Sequence, residues 1–202
     1  QSMELKTDGS VWSWGASGMY NSGTNICPLL APTITGAIAI AASGENRVVL
    51  KDDGTVWAVG GNGNAQLGDG TTTQTAALAQ MSGLTDIVAV SASSYYYQEN
   101  NAIFALKADG TVWATGVYGC VSGVSAKMKG PVGTGTLDNV IAISTSSMQT
   151  LALLSDGTVM SWGWSNYPGD NTAGNNSLYP VKVHGFNNNG NIQNVISVAA
   201  GA

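Results

Sequence analysis

Charge is what this chain lacks most. Only 9% of its 202 residues are Asp, Glu, Lys or Arg, where a globular chain usually carries about a quarter. The seven basic residues (Lys6, Arg47, Lys51, Lys107, Lys127, Lys129, Lys182) are scattered, and only Lys127 and Lys129 lie close together. A nucleic-acid surface needs a concentrated basic footprint, so that class of partner is excluded. Long apolar runs are missing too. Nothing approaches the roughly 18 apolar residues of a membrane-spanning helix, and "GAIAIAAS" from Gly36 is far too short, so no membrane insertion is expected. Histidine occurs once, as His184, and cysteine twice, as Cys27 and Cys120. The two cysteines match no metal-ligand spacing. They can pair as one disulfide or stand apart as small buried thiols.

What fills the space is Gly, Ser, Thr and Asn, the composition of an all-β protein rich in turns. Hydrophobic residues make up 44% of the chain, enough to exclude disorder for want of a core. The net charge is −5 and the isoelectric point about 4.5. Charge-poor, turn-rich surfaces recur in secreted and cell-surface proteins, which sets the expectation of an extracellular or cell-surface location. The sequence starts at Gln1 without a signal-peptide pattern, a start that suits a processed mature chain and an excised piece equally.

One phrase is written four times: "LKTDGSVWSWG" from Leu5, "LKDDGTVWAVG" from Leu50, "LKADGTVWATG" from Leu106 and "LLSDGTVMSWG" from Leu153. The shared pairs are Asp8-Gly9, Asp53-Gly54, Asp109-Gly110 and Asp156-Gly157. Asp-Gly between strand-forming residues is a strong hairpin signal and predicts a two-residue type I′ turn, with positive φ at both positions. A second phrase, "AIAIAAS" from Ala37, "DIVAVSAS" from Asp86, "NVIAISTS" from Asn139 and "NVISVAAG" from Asn194, alternates small residues with Ile or Val. That is the period of a half-buried strand. Repeats of this size suit a unit of about four short strands, the blade of a β-propeller. The repeats run approximately over 1–45, 46–101, 102–147 and 148–202, in a single domain spanning 1–202. No helical periodicity of useful length is present. The last phrase is what elsewhere precedes a hairpin, and the first residues are a hairpin without that predecessor. The N- and C-terminal strands are therefore expected to pair, within one chain as a closed four-bladed ring or between chains head to tail.

The combined phrase "A-L-K-x-DG-T-V-W-A-x-G", with "NAQLGDGTTT" from Asn64 and "VAVSAS" from Val88, resembles the bacterial version of RCC1 repeats, the units of the regulator-of-chromosome-condensation propeller. The resemblance runs through all four copies. It thins in the connecting segments "NSGTNICPLL" and "CVSGVSAKMK", and Arg47 and Gln149 stand near the places where the family usually carries a His. It implies a propeller of antiparallel four-stranded blades. The family includes an exchange factor for a small GTPase, chromatin binders and secreted inhibitors of β-lactamases.

Chemistry is hard to find in the residues. His184 has no nucleophile or carboxylate nominated beside it. The four turn aspartates are explained by the turns they occupy. Asp52, Asp69 in "GDGTTT" and "GDNTAGNNS" from Gly169 lack the alternating ligand pattern of a calcium loop. "GGNGN" from Gly60 precedes no helix, so the phosphate-cradle reading fails. No enzyme, metal or cofactor is expected. Trp12, Trp57, Trp113 and Met160 share one repeat position and read as packing between blades, as do Trp14 and Trp162 at the next. The second repeat is the longest because of "SSYYYQENN" from Ser93, and three consecutive tyrosines cannot all face one core. Tyr95, Tyr96 and Tyr97, with Trp164 and Tyr167 of "WSNYPGDN", are the candidate contact residues. The expected function is a protein-binding module. The alternatives are a structural unit assembling with copies of itself and a glycan binder using the same aromatics.

Overall fold

The computed structural model describes residues 2–15, 25–30, 34–44, 46–93, 101–116, 125–163, 168–172 and 177–201. The chain is all-β, built from four antiparallel sheets that follow one another in sequence. The first holds β1 (Ser2–Leu5), β2 (Val11–Gly15) and β3 (Asn25–Leu30). The second holds β4 (Ala37–Ser43), β5 (Asn46–Lys51), β6 (Val56–Gly60) and β7 (Thr75–Gln80). The third holds β8 (Ile87–Ser93), β9 (Ala102–Lys107), β10 (Val112–Ala114) and β11 (Ala126–Lys127). The fourth holds β12 (Val140–Thr145), β13 (Gln149–Leu154), β14 (Val159–Gly163) and β15 (Ser177–Lys182). No α-helix occurs among the described residues. Each sheet is a blade, and the innermost strands β4, β8 and β12 touch in series, with β1 against β4.

The four hairpins pair as the sequence implies, but their turns are not type I′. Gly9, Gly54, Gly110 and Gly157 take φ of 77°, 75°, 80° and 77°, while none of the four aspartates beside them has positive φ. In the second blade Gly54 N–H donates to Lys51 C=O at 3.0 Å and Lys51 N–H to Thr55 C=O at 3.0 Å. This is a three-residue loop, a type I turn followed by one left-handed glycine. The reason lies in the aspartate. Its Oδ1 accepts the backbone N–H two residues on, and this local bond holds Asp in the right-handed region.

A second device sets the step from one blade to the next. Gly36, Asp86, Asn139 and Asn194 enter the inner strand with φ of 72°, 59°, 61° and 61°. The following residue then donates back to the previous hairpin: Ile87 N–H to Gly54 C=O at 3.1 Å, Val140 to Gly110 at 3.0 Å, Val195 to Gly157 at 3.1 Å. A Cβ on Gly54, Gly110 or Gly157 would stand 3.0, 3.1 or 3.0 Å from the next blade's backbone nitrogen. Those glycines serve the turn and the close approach together. One residue further on, each described inner strand has a bulge, at Ile38, Val88 and Ile141.

The core lies between blades. Val48, Leu50, Val56, Ala58, Leu67 and Met81 of the second blade meet Ile103 and Ala105 of the third. Phe104, Leu106, Val112, Ala114 and Met128 of the third meet Ala152, Met160 and Trp162 of the fourth. Phe104 and the fully buried Trp162 pack edge to face, with centroids 5.8 Å apart. Between the first two blades, Val11, Ala37 and Val49 are buried together.

The expected pairing of the chain's two ends does not form within the chain. β1 pairs with β2 alone, so the first blade lacks an inner strand. Residues 194–201 follow the Gly157 hairpin outside any sheet, with Val195 N–H on Gly157 C=O at 3.1 Å and Ala200 N–H on Ser144 Oγ at 3.0 Å. The four blades form an open arc. The first blade also explains why its outer flank tolerates solvent. Glu4 is exposed at the repeat position that Val49, Ala105 and Ala152 fill with buried apolar side chains. A charge on an edge strand discourages further pairing.

Candidate interaction surfaces

The Asp-Gly hairpins gather at one end of the arc. In each, the carboxylate accepts two donors from one residue. Asp53 Oδ1 takes Thr55 N–H at 3.0 Å and Thr55 Oγ1 at 2.6 Å, and Asp109 and Asp156 repeat this with Thr111 and Thr158. Asp8 takes Ser10 N–H at 2.9 Å. The hydroxyl bond, then the backbone bond, holds all four carboxyls below the ordinary value of 3.8, with Lys6, Lys51, Lys107 and Lys182 adding smaller pulls. The Thr hydroxyl also receives an indole N–H, Trp57 Nε1 at 3.0 Å and Trp113 Nε1 at 3.2 Å. Lys6 Nζ sits 4.4 Å from the centroid of the Trp12 ring. These aspartates and tryptophans are architectural.

The connecting loop of the second blade, 60–74, is shaped by a residue that the sequence reading passed over. Asn62 is fully buried. Its Oδ1 accepts Leu67 N–H at 2.9 Å, and its Nδ2 donates to Thr71 and Thr73 C=O at 3.1 and 3.0 Å. Nδ2 also lies 3.3 Å from Asp69 Oδ1. Asp69 in turn accepts Thr71 N–H and Oγ1, both at 2.9 Å, so it is engaged by the loop and not set out as a calcium ligand. Polar bonds also cross between blades. Asn101 Nδ2 donates to Asn46 Oδ1 at 3.0 Å, Asn46 Nδ2 to Gly61 C=O at 2.8 Å, and Thr115 Oγ1 to Gln66 C=O at 2.7 Å. The signal that could have flagged them is their place: an amide or hydroxyl inside an apolar strand phrase must find a partner if buried.

His184 lines a shallow groove with Gly169, Asn171, Gly185 and Asn187, where its N–H donates to Gly169 C=O at 2.8 Å. Beside it, burial raises the Asp170 carboxyl, but the Thr172 hydroxyl and N–H outweigh this and leave it below 3.8, with His184 contributing. Among the described residues no group of three or more His, Cys, Asp and Glu is placed to hold a metal. Tyr95, Tyr96, Tyr97, Trp164 and Tyr167 lie outside the described residues, as does Cys120 and with it the question of a disulfide to Cys27. Large apolar side chains do reach solvent elsewhere: Ile38, Val88 and Ile141 on the inner strands, Ile196 in the C-terminal segment, and Phe186 and Tyr179 in the fourth repeat.

Among solved structures, yeast RCC1 (Prp20) bound to Kap60 superposes on 99% of this chain with a TM-score of 0.72 at 22% identity. The fold is RCC1-like. Prp20p from Saccharomyces cerevisiae, described with its binding properties to Gsp1p and histones, matches over 91% of the chain with a TM-score of 0.68 at 16% identity. Human WBSCR16 does so over 91%, with a TM-score of 0.68 at 21% identity. The RCC1-like chain spans about half the length of each, 50%, 48% and 50%. No family model matches the sequence, and no curated protein does.

Proposed function

We propose that this RCC1-like arc is a non-enzymatic protein-binding module. The observation that carries the reading is the fold itself, shared with yeast Prp20, which is crystallised bound to Kap60 and described by its binding to Gsp1p and histones. Propellers expose loops from every blade while the sheets stay constant, so partners are chosen by loop content. The tyrosine segment 95–97 and the aromatics Trp164 and Tyr167 are the loop residues we assign to contact, on composition. The charge-poor sequence and the bacterial-type repeat phrase support a place outside the cell or on its surface. Panning a random peptide library displayed on phage against the purified chain tests the reading. Reproducible enrichment supports a binding module, and its absence removes it. Alanine at Tyr95, Tyr96 and Tyr97 weakens the enriched peptides if that loop makes the contact.

A second reading is favoured by the two unpaired edges. β1 offers the side on which β5, β9 and β13 each receive an inner strand, and residues 194–201 carry the inner-strand phrase while lying outside any sheet. The register of the other blades would set Val198 opposite Glu4 and Ala199 opposite Met3. Copies could then join head to tail. Light scattering over a hundredfold concentration range decides this: a constant monomer mass removes assembly. Glycan binding rests on the same loop aromatics, and a glycan array without signal removes it.

A further inference from the structure

Four exposed apolar residues occupy one repeat position. Ile38, Val88 and Ile141 each follow the first residue of their inner strand and Ile196 holds the matching place in the C-terminal segment, and they are 54%, 55%, 57% and 94% exposed. The neighbouring side chains Ala37, Ile87 and Val140 are buried. The exposure has a local cause. The bulge between Ala37 and Ala39, between Ile87 and Ala89, and between Val140 and Ala142 leaves the extra residue outside the ladder, so its side chain misses the core. Single exposed aliphatics are ordinary, but β-branched aliphatics at one register position on strands that touch in series are set in a row.

The row lies at the Asp-Gly end, because the residue before each of Val88, Ile141 and Ile196 is bonded to the preceding hairpin glycine. That end concentrates the chain's acid groups. Asp8, Asp52, Asp53, Asp86, Asp109, Asp138 and Asp156, seven of the twelve acidic residues, stand in or beside these turns. Four carboxyls are held ionised by their hydroxyl and backbone donors. Five cations stand near them: Lys51 pairs with Asp53, Lys107 with Asp86 and Lys127 with Asp138, Lys6 lies over Trp12, and Lys182 lies near Asp156, so the acid groups stay in excess, seven against five.

We infer that the row of Ile38, Val88 and Ile141, with its acidic rim, is a docking surface for a protein segment that pairs apolar side chains with flanking Lys or Arg. The inference rests on the binding-module reading and gives it a site and a partner chemistry. Apolar anchors would cover the bulge residues, and basic flanks would meet the turn carboxylates, which speeds association and sets specificity.

The experiment uses the same displayed peptide library. Peptides enriched on the unaltered chain carry Leu, Ile, Val or Phe within a few residues of Lys or Arg. The triple variant Ile38→Thr, Val88→Thr, Ile141→Thr keeps β-branching, hence the strand preference, and removes the apolar surface. A synthesised enriched peptide, followed by fluorescence anisotropy, loses at least about tenfold in affinity for that variant, a difference of roughly 1.4 kcal/mol. Its affinity for the unaltered chain falls severalfold between about 50 and about 300 mM salt. Phe186→Ser, elsewhere on the surface, leaves it unchanged. An unchanged urea midpoint in the triple variant separates lost binding from lost fold. Peptides that bind the triple variant undiminished, or that carry acidic flanks, overturn the docking surface while the module reading stands. A library that yields no enrichment overturns both.

Discussion

Asn62 offers the sharpest test of how the second blade is built. Asn62→Ala removes the acceptor of Leu67 N–H, in a residue with no exposed surface. Stranding a buried donor costs about 1–3 kcal/mol. The lost donations to the Thr71 and Thr73 carbonyls cost less, because both threonines are exposed and water replaces the amide. The sum is about 2–4 kcal/mol, a large share of the stability of a domain this size. Urea unfolding followed by tryptophan fluorescence reads it as a lower midpoint with an unchanged slope. Asn62→Asp keeps the acceptor for Leu67, loses both donors and sets a carboxylate beside Asp69, 3.3 Å from where the amide nitrogen stood. It is therefore at least as unstable as the alanine variant at pH 7, and it recovers toward pH 5 as the introduced group takes a proton. Destabilisation of Asn62→Ala below about 0.5 kcal/mol, the scale of an ordinary surface change, refutes the assignment.

Three further outcomes follow from the same geometry. Gly116→Ala loses about 2–4 kcal/mol, because a Cβ would meet Asn101 C=O at 2.2 Å at a φ of +73°; calorimetry shows the drop in Tm. The repeat position of Glu4 behaves oppositely at the two sites. Glu4→Ala stays within about 0.5 kcal/mol, whereas Ala105→Glu, which buries a lone charge between blades, costs more than about 3 kcal/mol in urea titration. The four turn carboxyls titrate lower in the folded chain than in the unfolded one, so their contribution is complete above about 3.8 and lost as pH falls through the lower folded values. Tm measured from pH 7 downward therefore holds until about pH 4 and then declines, and replacing all four by Asn flattens that acid limb.

The repeat, the hairpins and the all-β class could be read from the Asp-Gly phrase because it is local: turn residue, flanking strands and period lie within a dozen positions. Its turn type could not, since the competition between a left-handed Asp and an Asp bonded to Thr55 is decided by side-chain geometry that composition does not encode. Whether the two ends pair within one chain or between chains was left open by the sequence for a related reason. Complementary phrases at the two ends say that the edges fit, while the angle between blades, which decides whether they meet, is set by packing. Glu4 carried a hint, a charge where Val49, Ala105 and Ala152 are apolar. Asn62, Asn46 and Asn101 were invisible because a buried amide looks like a turn residue until its partners are placed. The exposed row at Ile38, Val88 and Ile141 was masked by its own alternation. A bulge shifts one residue out of phase, and a period-two reading assigns it to the wrong face.

The left-handed residue at the entry to each inner strand has a consequence for how such a chain changes length. Asp86, Asn139 and Asn194 set the entry to the next unit, and the residue after each donates one backbone bond to the hairpin before it, a joint that works with the packing between blades. Nothing in that joint depends on how many units precede it or follow it. A duplication that copies one unit therefore carries its own hinge setting, and a fan of this kind can grow or shrink by whole vanes while every existing joint keeps its angle.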